Sequence, residues 1–436
     1  MKTNFVKLRW LFTMLLFVTT MIMPTMMLAK SIDLKIPEGD GAGTPYKIGT
    51  AEELYWFAGL VNGTLPGVKK DLSANAILTD DIIVNTGVLD PNKDLVSGND
   101  FIEWIPIGKS SSDDDAYTGT FDGNGHTISG LYFNKSNSWY VGLFGCIGAE
   151  GKISNVGVSD SYFQSSNCPY IGGVCGSNSG ELQNCSNSST VIGKENEYRI
   201  GGVCGYNSGT VKDCKNTGSV RGKETIGGVC GYNERRYNEK GGIIENSFNE
   251  GTVSGTGDYD VLNIGGVCGY NYGGTIKSCY NTASVSGHDY VGGVSGSLGS
   301  DVTNCYYLSG TVADGKGGIG GKDDENGKAV EMSKDRFKSG EVAWLLNGSK
   351  SVSTEESTLA WYQKLGENAD AYPVLKSTDH NTVYKAPLFS CDGTTRIGEY
   401  ANKPEGDKLS HNYQMAEKAD EGTSNLYSEE CAICHN

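Results

Sequence analysis

The stretch IGGVCGYNSGTVKDCKNTGSVRG, residues 200–222, is written more than once in this chain. IGGVCGSNSGELQNCSNSSTVIG begins at Ile171, and IGGVCGYNYGGTIKSCYNTASVSG begins at Ile264. The equivalent glycines Gly172, Gly201, Gly227, Gly265 and Gly292 are 29, 26, 38 and 27 residues apart, and a degenerate copy, VGLFGCIGAEGKISNVGV, starts at Val141. A self-similar period of 20 to 50 residues marks stacked supersecondary units. Within each unit the apolar runs are short and β-like (GTVKD, GSVRG), with Gly, Asn and Ser between them. No helix-length pattern of period 3.6 occurs from about Asn75 to Val312. These features predict an all-β chain, a β-solenoid whose coils stack about 4.8 Å apart.

Stacking explains the repetition. Equivalent side chains lie above one another, so each column favours one residue type. Asn178, Asn207, Asn233 and Asn271 are expected to form one amide ladder, and Asn187, Asn216, Asn249 and Asn281 another. Cys175, Cys204, Cys230 and Cys268 share one column; Cys185, Cys214, Cys279 and Cys305 share a second. A disulfide in each coil is the alternative in a secreted protein. However, the coil that keeps Cys230 carries Ser247, and the coil that keeps Cys305 carries Ser295, so the partners vanish singly. The thiols are therefore read as buried hydrophobes. The long step holds an insertion, NERRYNEKGG (Asn233 to Gly242), expected to bulge from one face.

Residues 1–29 have the order of a secretory signal: Lys2, Lys7 and Arg9, an apolar run from Trp10 to about Ile22, then small residues. An uncleaved anchor is the alternative. No later segment is apolar enough to span a bilayer. Loss of those three cations would take the formal charge from −16 to −19. Such acidity disfavours nucleic acid. Residues 30–75 read as an N-terminal cap with one helix, TAEELYWFAGLVNG, opened by a Thr50/Glu53 capping box and closed at Gly63. The solenoid is placed at 76–313, a Gly-rich flexible linker at 314–328, a small α+β region at 329–390 and a polar Cys/His-containing tail at 391–436. There is no lipid-acceptor Cys after the signal and no closing hydrophobic segment, which fits a non-covalent surface anchor or a longer parent.

VGLFG and the repeated IGGVCGYNSG resemble the GLUG motif of bacterial surface and secreted proteins, including the region before the protease domain of some IgA-specific metalloproteases. YTGTFDGNGHTISGLYF (117–133) looks like the coil that often precedes such repeats, and GTPYKIGTAEELYWFAGLVNG and MSKDRFKSGEVAWLLNG look like their companions. The resemblance covers roughly Gly43 to Leu375. It implies a right-handed parallel β-helix and a cell-surface role, and it supplies no catalytic residues.

In the tail, CAICHN contains the C-x-x-C-H spacing of c-type haem, but in a polar stretch without an apolar wall for a porphyrin. Cys391, His411, Cys431 and Cys434 offer instead the Cys₃His set of structural zinc. A disulfide among these cysteines, or free thiols, are the alternatives. Enzymatic candidates are the acidic loop Asp113, Asp114 and Asp115, the charged insertion with Arg235 and Arg236, and Asp122 with His126. Each is read more simply as a solvated loop or a turn. No histidine stands in an H-E-x-x-H helix. Tyr206, Tyr232 and Tyr270 share one position of the repeat and could form a platform for sugar rings or peptides. The resulting expectation is a non-enzymatic adhesion or ligand-binding module for host or dietary glycan or surface protein. A polysaccharide-active β-helix enzyme and a passive stalk are the alternatives.

Overall fold

The computed structural model describes residues 32–375 apart from 111–113, 137, 168, 195–198, 236–240, 257–262, 297–300, 314–315, 321–327, 349–358 and 365–367, and beyond them the strands Pro387–Phe389 and Arg396–Glu399. It is a parallel β-solenoid. One coil runs Tyr170–Gly172, Cys175–Asn178, Glu181–Gln183, Ser186–Asn187, Thr190–Gly193. Each strand pairs in parallel with its counterpart one coil on, for example Cys175 with Cys204 and Leu182 with Val211. Five sheets result, of nine, nine, six, six and five strands.

Inward-facing columns fill the lumen. Ile171, Ile200, Ile226 and Ile264 form one, and Leu182, Val211, Ile244 and Ile276 another; all are fully buried. The cysteines form two more, and among the described residues nine cysteines are free and buried. Ser295 bridges to Cys268, and Ser247 lies between Cys214 and Cys279, so each serine replaces a thiol within its vertical stack. Burial pushes the Cys175, Cys204, Cys214, Cys230 and Cys279 thiols well above their ordinary value, which suppresses thiolate chemistry.

Both amide ladders are present. Asn178 donates to Asn207, Asn207 to Asn233 and Asn233 to Asn271, each at 2.8 Å. Asn187 to Asn216, Asn216 to Asn249 and Asn249 to Asn281 repeat that distance. The second glycine of each GG pair makes room for the latter ladder. A Cβ on Gly202 would stand 2.3 Å from Asn216 Cγ and 2.2 Å from the Gly228 carbonyl oxygen. The spacing of GG and Asn in the repeat is thus one packing constraint expressed at two positions.

Helix α1 (Ala51–Asn62) lies against the aromatic first coils, with Phe57 close to Tyr117 and Phe121. Thr50 Oγ1 accepts from the Glu53 amide at 3.3 Å. The Glu53 carboxylate reaches back one residue further than a capping box requires, to the Gly49 N–H at 2.9 Å. Gly63 closes the helix at φ 65°.

The sheets run beyond residues 76–313. Tyr46–Ile48 pairs with Ala76–Leu78 in one sheet, and Ala329–Met332 pairs with Cys305–Leu308 in another. Part of the stretch expected as a flexible linker is an ordered rung: Val294 donates to the Gly318 carbonyl at 2.9 Å, and Gly320 donates to Ser295 at 2.8 Å. The last coil leaves backbone groups unpaired, and a glycine-rich segment, having no side chains to clash, can lie on that edge. Beyond it, α2 (Lys334–Lys338), α3 (Glu341–Leu346) and the antiparallel pair Trp361–Tyr362 with Val374–Leu375 pack on the outer face through Phe248, Tyr280, Phe337 and Trp361.

Candidate functional site: an aromatic strip along the coils

Two neighbouring sheets build the strip. In one, register places Tyr140 over Tyr170 and, because Ile171 pairs with Ile200, Arg199 over Tyr170 in turn. The next residues of that column are Thr225 and Asn263. In the other sheet the column reads Cys146, Ser177, Tyr206, Tyr232, Tyr270. Large and small residues are complementary between the two. Where the first column has Tyr140 and Tyr170, the second has Cys146 and Ser177; where the second turns to tyrosine, the first loses its rings.

One continuous line of rings results. Tyr140 and Tyr170 stack at 5.0 Å and 3°, and Tyr170 meets Tyr206 edge-on at 5.5 Å. Tyr206 stacks on Tyr232 at 5.8 Å, Tyr232 lies 5.2 Å from Tyr270, and Tyr270 stacks on Tyr272 at 6.0 Å. Arg199 sits at the crossover, its guanidinium carbon 5.1, 5.7 and 4.6 Å from the Tyr170, Tyr206 and Tyr232 ring centres. Each such contact contributes about 0.5–1 kcal/mol where exposed and more when desolvated. The Arg199 Nε is buried without a hydrogen-bond partner among the described residues. The Tyr206 hydroxyl donates to the Glu234 carboxylate. Burial, helped by the Glu234 charge and opposed by Arg199, pushes the Tyr232 hydroxyl up to about 12. The strip therefore presents neutral phenols with one cation and one carboxylate among them.

Of the three tyrosines expected to form a platform, Tyr206 is only 7% exposed, while Tyr232 and Tyr270 are half-buried. Tyr206 underlies the strip; Tyr232 and Tyr270 present it. Sequence reading missed Tyr140, Tyr170, Arg199 and Tyr272. Tyr140 and Tyr170 each precede the V/I-G that opens a coil, and that shared position was the available signal. Trp139, 65% exposed, extends the apolar surface beside Tyr140.

The remaining candidates lie elsewhere. Cys391, His411, Cys431 and Cys434 fall outside the described residues, as do Asp113, Arg236 and the signal-like segment. Asp115 is paired with Lys70 Nζ at 2.6 Å, and Lys70 also donates to the Asp114 carbonyl. Asp122 accepts from the Asn124 amide and from Asn155 Nδ2, which makes it a turn residue. His126 Nδ1 lies 3.5 Å from Asp81, whose carboxylate also accepts from Thr127. No group of three metal-ligating side chains occurs among the described residues. None of the described helices is long and apolar enough to cross a membrane.

Comparisons with known proteins agree with this architecture. The GLUG motif model matches residues 196–221 and 260–286. Halomucin of Haloquadratum walsbyi is 38% identical over 84 residues, 19% of this chain and 1% of that protein. A "Putative Gly-rich membrane protein" of Evansella cellulosilytica is 33% identical over 78 residues, 18% of this chain and 9% of its own. The chain thus spans a small fraction of the curated relatives it matches. A crystal structure of a "putative immunoglobulin A1 protease" from Bacteroides ovatus superposes with a TM-score of 0.50 at 21% identity, covering 78% of this chain and 98% of that one. That likeness concerns the fold, and neither the fold nor the motif shows catalytic activity. The chain is a parallel β-solenoid that carries the GLUG motif in its repeated coils.

Proposed function

We propose that this is a secreted or surface-displayed bacterial repeat protein that binds an extended glycan along its aromatic strip. The observation that carries the reading is the unbroken line of six tyrosine rings with Arg199 among them. Sugar rings offer apolar C–H faces to aromatic rings and hydroxyls to phenols and carboxylates, so repeated rings at coil spacing suit a repeated ligand. The partly exposed Tyr232, Tyr270 and Tyr272 are the contact residues, Arg199 orients the rings, and Glu234 accepts from Tyr206. Export is supported by the signal-like order of residues 1–29 and by the GLUG likeness.

A non-catalytic reading is supported by the structural contacts that hold Asp115 and Asp122, two of the carboxylates considered for an enzyme. The test is a glycan and host-protein array probed with the purified chain and with a Tyr232→Ala/Tyr270→Ala variant that leaves the buried Tyr206 in place. Glycan binding lost in the variant supports the reading. Binding confined to protein spots would replace the glycan with a protein partner, and no binding would leave a stalk.

A further inference from the structure

A groove lies on another face, where each coil turns through a residue in the left-handed region. Asn155, Asn184, Asp213 and Asn246 occupy this corner in successive coils, with φ of 55, 52, 54 and 47°. Their side chains form a third ladder. Asn155 Nδ2 donates to Asp122 Oδ1 at 2.9 Å, Asn184 Nδ2 to Asn155 Oδ1 at 2.9 Å, and Asn246 Nδ2 to Asp213 Oδ1 at 3.1 Å.

Unlike the two buried ladders, this one cannot be continuous. Asn155 and Asn184 are strung between two carboxylates, Asp122 and Asp213. A carboxylate only accepts, and a row of amides sends its donors one way. The donors run toward Asp122. At the other end no hydrogen bond joins the exposed Asn184 to the Asp213 carboxylate, and the oxygens that remain there are acceptors.

The break lies along the groove. Two adjoining hollows of ≈ 390 and ≈ 480 Å³ share Asn155, Asn184 and Asp213 in their lining. Leu359, Val374 and Leu375 of the C-terminal region line their apolar side, and Lys212 and Lys215 supply donors. Size and mixed lining match a small-ligand site. Calcium would need six or more oxygens, several of them from carboxylates, and among the described residues Asp213 is the one carboxylate that lines either hollow.

We propose that this groove binds a neutral oligosaccharide, two neighbouring hydroxyls of which donate, one to the Asp213 carboxylate and one to Asn184 Oδ1, and so bridge the break in the amide ladder. A vicinal pair of hydroxyls can do this because each brings its own proton to one of the two acceptors, while the apolar wall covers a sugar face. The site is independent of the tyrosine strip.

The test is isothermal titration of the full chain with maltotetraose, cellotetraose and xylotetraose, alongside Asp213→Asn and Tyr232→Ala/Tyr270→Ala variants. Asp213→Asn supplies the missing N–H, so the ladder closes on itself. Its melting temperature should equal or exceed that of the parent, while affinity for at least one probe falls tenfold or more and the tyrosine variant retains that affinity. Three results would overturn the proposal: unchanged binding by Asp213→Asn, no binding of any probe, or calcium chloride alone raising the melting temperature of the parent but not of Asp213→Asn.

Discussion

At the scale of single side chains, the interior is specified by columns in which each residue must suit the copies above and below it. Asn216 donates at once to Asn249 Oδ1 and to the Gly218 carbonyl, with no exposure to water. Asn216→Ala should therefore cost about 1–3 kcal/mol, the penalty for orphaned buried groups. Asn216→Asp should cost more, because it removes the donor and adds a charge; urea denaturation followed by circular dichroism measures both. The two buried ladders and the thiol columns were legible in the sequence because the same residue type recurs at each period. The third ladder was not read, although Asn184, Asp213 and Asn246 each stand just before the second Cys/Ser column, because Asp213 interrupts the run of asparagines and only the structure shows which side chains bond. Arg199 was invisible for a related reason: it belongs to the column of Tyr140 and Tyr170 but serves the rings of its neighbour.

At the scale of elements, strands of two to five residues gain stability only from stacking, so glycines and end caps decide whether coils form. Gly202→Ala would drive a methyl against the Gly228 carbonyl and the Asn216 amide. Overpacking of this kind costs about 1–3 kcal/mol or more, and a lowered melting temperature with retained β-type dichroism is the expected result. Helix α1 shields the first coils, and Phe57 is its fully buried anchor. Phe57→Ala should destabilise by about 3–5 kcal/mol and bring the unfolding of the N-terminal coils ahead of the rest, which hydrogen exchange would resolve coil by coil. Helix α1 was readable from Thr50, Glu53 and Gly63. The ordered rung at Gly317–Gly320 was not, because glycine-rich sequence looks the same whether it spans a gap or lines a strand edge.

At the scale of the whole molecule, burying many thiols makes stability depend on alkaline pH. Unfolded thiols ionise near 9, whereas burial holds those of Cys175, Cys204, Cys214, Cys230 and Cys279 protonated in the folded chain. Their folded values are raised, so the stabilisation is complete below pH 9 and is lost as pH rises above it. Each such thiol costs about 1.4 kcal/mol per pH unit once the unfolded form is ionised. The melting temperature should hold to about pH 8.5 and then fall steeply, with the buried hydroxyls of Tyr117 and Tyr280 adding to the loss at still higher pH. In the native state at pH 8, a thiol reagent should leave the nine buried cysteines unmodified and reach them only in denaturant.

The solenoid itself was predictable from period and composition, whereas its recognition face depends on how two adjacent columns exchange large for small residues. That face is the central claim. Its most direct test is the affinity of the purified chain for array-identified glycans, compared with that of Tyr232→Ala/Tyr270→Ala, with circular dichroism confirming that both fold. The account predicts binding by the parent chain and a loss of at least about tenfold, or 1.4 kcal/mol, in the variant. Equal affinity in the two proteins, or no glycan bound by either, would contradict it.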